Sequence, residues 1–151
     1  MIVLALVAAA LLIDGPELEP QDRGNDAERP SEASDLVDGG SGGDRVVYRT
    51  ATRPVTVDLA LGTVSGSGDD VLISVENATG SPYADTLTGS AGRNDLRGVG
   101  CADTISGGDG ADWILPGQGN DIVDGGLKGD GISYADVTVG GIMLNLALAG
   151  A

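Results

Sequence analysis

The feature that most restricts this chain is a period of nine. From Gly80 the sequence divides without a gap into GSPYADTLT, GSAGRNDLR, GVGCADTIS, GGDGADWIL, PGQGNDIVD and GGLKGDGIS, six units that end at Ser133. Their sixth positions are Asp85, Asn94, Asp103, Asp112, Asp121 and Asp130, and their eighth are Leu87, Leu96, Ile105, Ile114, Val123 and Ile132. A separate unit, GGSGGDRVV, runs from Gly39 to Val47 with Asp44 and Val46 in the same places. A poorer copy, PSEASDLVD, starts at Pro30 and keeps Asp35 and Val37 in register. So short a unit cannot bury its own apolar residue. It must stack on neighbours, and the expected result is a solenoid.

The pattern approximates G-G-x-G-x-D-x-U-x, which is a calcium-binding parallel β-helix repeat. The chemistry follows from the residue types. Glycines at positions one, two and four permit backbone angles closed to other residues, and they bare the carbonyl oxygens. The aspartate adds a charged oxygen. Calcium takes six to eight oxygens, more than one turn supplies, so two stacked turns are needed. The last three residues form a short strand with position eight facing inward. Two nonapeptides make one coil of 18 residues, so Asp85 stacks with Asp103, Asn94 with Asp112, Asp103 with Asp121, and Asp112 with Asp130. These pairs define four interior sites, of which about two to four are expected to fill. Stacked carboxylates repel, so this part of the chain is expected to fold only with calcium.

The expected ligands are the side chains of Asp44, Asp85, Asn94, Asp103, Asp112, Asp121 and Asp130, with the turn glycines Gly107, Gly108, Gly110, Gly117, Gly119, Gly125 and Gly126 supplying carbonyls. The units depart from the pattern unequally. Pro116 replaces one first glycine, Lys128 replaces one third glycine, and Val99 and Cys101 replace two glycines of the Gly98 unit. The pairs Asp103–Asp121 and Asp112–Asp130 therefore rank first.

Composition removes most competing functions. The formal charge is -15, with 8 Lys+Arg against 23 Asp+Glu, so nucleic acid is excluded as a partner. There is no histidine and only one cysteine, which excludes His-dependent catalysis and any internal disulfide. Phenylalanine is absent, so the core is aliphatic. Each prominent Asp is already accounted for by a turn, and no catalytic activity is expected.

The rest of the chain divides around the repeats. Residues 1–13 are expected to be an apolar leader or anchor, or else a buried first strand or capping helix, or the product of a wrongly chosen start codon. At about 1.5 Å per residue a helix over Ile2 to Ile13 falls short of a bilayer, and membrane contact is expected only here. Residues 14–34 read as an acidic linker, 35–47 as a short roll block, 48–79 as a linking β segment, 80–133 as the calcium-binding roll and 134–151 as a second, truncated linking segment. In 48–79, Val55, Val57, Leu59 and Leu61 alternate as a half-buried strand, Gly66 to Asp70 reads as a turn, and Val71, Ile73 and Val75 begin another alternating stretch. Trp113, at position seven, should face outward. The open end of the solenoid exposes strand edges and favours self-association.

The units at Gly39 and from Gly80 to Ser133, with the intervening segment ending in Ile73-Ser-Val-Glu-Asn-Ala78, resemble the repeats-in-toxin, or haemolysin-type calcium-binding, family. The resemblance implies an all-β parallel β-roll, a right-handed solenoid, with an inserted hairpin or widened coil. It implies Ca2+ as the ligand and a secreted or cell-surface bacterial protein that folds outside the cell. The expected function is a calcium-binding module without catalysis of its own. The alternative is a C-terminal fragment of a larger exported enzyme, such as a metalloprotease or lipase.

Overall fold

The computed structural model describes residues 27–135 and the backbone of 142–145. The expected apolar helix or leader over 1–13 lies outside the described residues. Among these, no helix is long and apolar enough to cross a membrane.

Glycine-rich turns every nine residues leave room only for short strands. Among the described residues there are fourteen: β1 (Ala27–Glu28), β2 (Leu36–Asp38), β3 (Arg45–Val47), β4 (Thr56–Asp58), β5 (Thr63–Ser65), β6 (Asp69–Ile73), β7 (Asn77–Thr79), β8 (Thr86–Thr88), β9 (Asp95–Gly100), β10 (Thr104–Ser106), β11 (Trp113–Gln118), β12 (Asp121–Asp124), β13 (Gly131–Ile132) and β14 (Ile142–Asn145). They form two sheets. One has the order β1-β3-β7-β9-β11-β13, and the other β14-β12-β10-β8-β4-β5-β6-β2. Consecutive nonapeptides of the repeat run alternate between the sheets. This is the two-sided parallel roll that the period implies.

The register is set by the 18-residue coil. Ile105 pairs with Leu87 and with Val123, and Ile114 with Leu96 and Ile132, all in parallel strands. The pairing of Glu28 with Val46 has the same offset, so the coil already runs within the span read as linker. The eighth positions line the core. Val46, Leu87, Leu96, Ile105, Ile114 and Val123 are each at most 1% exposed. Ile132 packs against them partly buried. Along the repeat run the facing sheets meet through single aliphatic side chains, and the aromatic residue in the described core is Tyr48, at the start of the linking segment.

The linking segment is more elaborate than a hairpin. β4, β5 and β6 form an antiparallel meander. Its outer strands rejoin the parallel sheet, β4 to β8 and β6 to β2. Two details differ from the alternating pattern. Leu61 is 75% exposed, because the chain turns after Asp58, whose Oδ1 accepts the Leu61 N–H. On β6 it is Asp70 and Leu72 that face inward, while Val71 and Ile73 are only partly buried. Ser74 then adopts φ 52° and resets the alternation, so Val75 is buried again. Asp70 holds its inward place because the buried Tyr48 O–H donates to its Oδ2 at 2.7 Å and the Asp35 N–H to its Oδ1 at 3.0 Å.

In the second copy of this block, β14 lies directly beside β12. In the first copy β5 and β6 intervene between β2 and β4.

Candidate metal centre

The sixth-position side chains form two columns along the edges of the roll, as the spacing requires. Asp44, Asp85, Asn94, Asp103, Asp112 and Asp121 are each at most 2% exposed, and Asp130 is partly buried. Within a column, each side chain reaches back one coil. Oδ1 of Asp103 accepts the backbone N–H of Asp85 at 2.8 Å, and Oδ1 of Asp121 that of Asp103 at 2.9 Å. In the other column Oδ1 of Asp112 accepts from Asn94 at 2.8 Å, and Oδ1 of Asp130 from Asp112 at 3.0 Å. One carboxylate oxygen per turn therefore continues the sheet's hydrogen bonding across the corner.

The second oxygen decides the chemistry. Oδ2 of Asp103, Asp112 and Asp121 is buried with no hydrogen-bond partner. An orphaned buried acceptor costs about 1–3 kcal/mol, and more when it is charged. Its surroundings make the cost plain. A Cβ placed on Gly98 would strike both Asp103 Oδ2 and the Pro116 carbonyl oxygen. A Cβ on Gly107 would meet Asp112 Oδ2 at 2.6 Å and strike the Gly125 carbonyl oxygen. In each turn, then, an acidic oxygen and the first carbonyl of the next coil flank one small space, with no donor between them. Burial raises the carboxyl of Asp103, to about 8, and the neighbouring charges of Asp85 and Asp121 add to this. Burial likewise raises Asp112, with Asp130 contributing, and Asp121. These carboxylates are poorly placed as bare anions and well placed as ligands of a hard cation.

The backbone of these turns explains the glycines. In the units at Gly39, Gly98, Gly107, Pro116 and Gly125, positions two and four are all left-handed. Position two is Gly40 at φ 76°, Val99 at 93°, Gly108 at 91°, Gly117 at 93° and Gly126 at 89°. Position four is Gly42 at 145°, Cys101 at 69°, Gly110 at 146°, Gly119 at 153° and Lys128 at 86°. Val99 thus takes the conformation that its glycine counterparts take freely, while Cys101 and Lys128 are also left-handed but at smaller φ than Gly42, Gly110 and Gly119.

The structure divides the expected ligands. Asp103, Asp112, Asp121 and Asp130 stand in stacked left-handed turns, together with Gly107, Gly108, Gly110, Gly117, Gly119, Gly125 and Gly126. Asp85 and Asn94 do not. Ser81 gives its N–H to Asp85 Oδ2 at 2.5 Å and its O–H to Oδ1 at 2.6 Å, and the Val55 N–H adds a third bond at 2.8 Å. Asn94 Oδ1 accepts the Ser90 N–H at 2.7 Å, while its Nδ2 donates to the Glu76 carbonyl at 2.5 Å. Asp44 is stacked on Glu76, whose Oε2 accepts the Asp44 N–H at 2.9 Å. Glu76 was missed because it lies outside any nonapeptide. Its only signal is that it precedes Asn94 by one 18-residue coil.

Among the described residues, no group of three or more Asp, Glu, His or Cys side chains converges as a ligand cluster. The oxygens gathered in these turns are backbone carbonyls and roughly one carboxylate per turn, a hard donor set of the kind that suits calcium and not a thiolate- or imidazole-seeking metal. No curated protein matches the chain. A family model for the RTX calcium-binding nonapeptide repeat, four copies long, matches residues 79–114 and again 102–131. The repeats from 79 to 131 thus match the RTX, haemolysin-type calcium-binding nonapeptide repeat.

Proposed function

We propose that this chain is a calcium-binding β-roll of a secreted or cell-surface protein, that its C-terminal coils fold as calcium binds, and that it carries out no catalysis of its own. The observation that supports this reading is the set of orphaned buried oxygens, Oδ2 of Asp103, Asp112 and Asp121, the first two of them beside a carbonyl oxygen of the next coil. The residues present fit the ion. Asp103 and the Pro116 carbonyl would hold one, and Asp112 and the Gly125 carbonyl another. Calcium supplies positive charge that neutralises the columns and ties each coil to the next. The same chemistry supports an extracellular setting, because extracellular calcium modules work at about 10⁻⁴–10⁻³ M, far above the concentration that cytosolic sensors answer to.

The test is a calcium titration followed by circular dichroism and by Trp113 fluorescence. Trp113 is 44% exposed, and its ring lies against Gly131 of the next coil, so it reports closure of one coil on another. A saturable gain in β signal with a concerted change in emission is expected. A spectrum that is the same in chelator and at about 10 mM calcium would falsify the reading.

A further inference from the structure

The roll contains two kinds of turn, and serine at position two separates them. Three units carry it: Ser31, Ser81 and Ser90. In each, the serine N–H and O–H both point at the sixth side chain. Ser31 binds Asp35 Oδ2 at 2.7 and 3.0 Å, Ser81 binds both oxygens of Asp85, and Ser90 binds Asn94 Oδ1 at 2.7 and 3.4 Å. In each, the serine Oγ also accepts the N–H of position four: Ala33 at 3.1 Å, Tyr83 at 3.1 Å and Gly92 at 3.3 Å. None of the three has a left-handed residue at position two or four, although Gly92 is free to adopt one. The five units without this serine are left-handed at both positions. The orphaned oxygens of Asp103, Asp112 and Asp121 all lie in that second kind.

We propose that Ser81 and Ser90 stand in for the cation in their turns, so that they cap both columns without calcium and the chain folds in two stages. A calcium-independent platform spans roughly residues 48–97, and the coils from Gly98 onward close on it when calcium arrives. This rests on the calcium reading above and extends it by stating which turns the ion does not occupy. The placement is consistent. In the six-unit run the Ser81 turn begins one column and the Ser90 turn the other, and the four left-handed turns of that run follow them; the fifth, at Gly39, precedes the platform. The platform also has supports that need no ion: the antiparallel meander, the buried Tyr48–Asp70 bond, the Val55 N–H on Asp85, and a core that includes Val55, Val57, Leu59, Val64, Leu72 and Ala78. A preformed end removes the nucleation cost from calcium-driven growth, because each new coil adds to an existing template.

Hydrogen exchange by mass spectrometry on the full chain, in chelator and in calcium, tests the proposal. In chelator, amides of 55–59, 70–73 and 86–88 should be protected, and those of 104–106, 113–118 and 121–124 should exchange freely. In calcium both sets should be protected. The double variant S81A/S90A should lose about tenfold or more of the platform's protection in chelator while binding as many calcium ions as the parent. Ser90→Thr, which keeps the hydroxyl, should behave as the parent does. Free exchange over the whole chain in chelator overturns the proposal and leaves the calcium reading intact. Full protection in chelator overturns both. A drop in bound calcium on losing the two serines shows that those turns hold ions, and overturns the proposal alone.

Discussion

Val99 and Gly117 occupy stacked positions in adjacent coils, and both have φ 93°. They predict opposite outcomes for opposite substitutions. A left-handed backbone costs a non-glycine residue on the order of 1–3 kcal/mol, with a β-branched side chain toward the upper end. Val99→Gly removes that strain. It gives back about 0.4–1 kcal/mol through the freer unfolded chain. The net expectation is a gain of about 1–2 kcal/mol, or a Tm rise of about 2–8 °C for a chain of this size. Gly117→Ala does the reverse. Its Cβ would lie 2.5 Å from the Val99 carbonyl oxygen and 2.7 and 2.8 Å from the Val99 carbonyl carbon and nitrogen. Those are backbone atoms in a paired strand and cannot swing aside. Adding overpacking to the conformational cost gives a loss of about 2–4 kcal/mol. The obstacle is backbone, which Val99→Gly leaves in place, so Val99→Gly should not rescue Gly117→Ala. The assay is thermal unfolding in saturating calcium, followed by circular dichroism. A fall in Tm for Val99→Gly, tolerance of Gly117→Ala, or rescue in the double variant would each refute the left-handed stacked turn.

Asp121→Asn should weaken calcium binding by roughly tenfold or more in isothermal titration, because a charged ligand is lost. Asp85→Asn, in a turn already bonded by Ser81 and Val55, should leave the number of bound ions unchanged. The pair Asp70 and Tyr48 sets a pH dependence away from the columns. Burial raises Asp70, and the nearby Asp35 and Asp69 charges add to it, against the Tyr48 and Asp35 hydrogen bonds. A raised folded value means that the contribution is complete below the ordinary carboxyl range and is lost as pH rises through the folded value. Denaturant unfolding should therefore show the parent gaining stability relative to Asp70→Asn as pH falls, and a gap that widens with rising pH in the parent's favour would contradict it. Asp95 should behave oppositely. Burial would raise it, but Arg97 and Arg45 outweigh burial and hold it below the usual carboxylate range, so its contribution is lost as pH falls. Asp95→Asn should therefore cost least at acid pH, and a cost that grows on acidification would contradict the assignment.

The nine-residue spacing carried the coil length, the two columns and the inward eighth positions, because a parallel ladder transmits a sequence period directly into space. The burial of Leu87, Ile105 and Val123 in one sheet, and of Leu96 and Ile114 in the other, follows from that alone. Three things were less legible. The phase of β6 depends on Ser74, one left-handed residue in a strand that otherwise alternates normally, and on Tyr48 drawing Asp70 inward. Leu61 extends an apolar alternation that the Asp58 turn interrupts in space. The difference between turn types was written in GSPYADTLT and GSAGRNDLR, yet serine resembles a tolerated substitute for glycine until its two hydrogen bonds to the sixth residue are seen. Asp85 and Asp103 are identical letters in identical frames. Only their neighbours four residues earlier tell a bonded carboxylate from an orphaned one.

Diffraction from calcium-grown crystals, recorded at a wavelength where calcium scatters anomalously, is the most direct examination of these columns. Anomalous peaks should stand beside Oδ2 of Asp103 and of Asp112, each between its own turn and the next, with none beside Asp85 or Asn94. Empty density at Asp103 and Asp112, or peaks of equal height in the serine turns, would contradict the account.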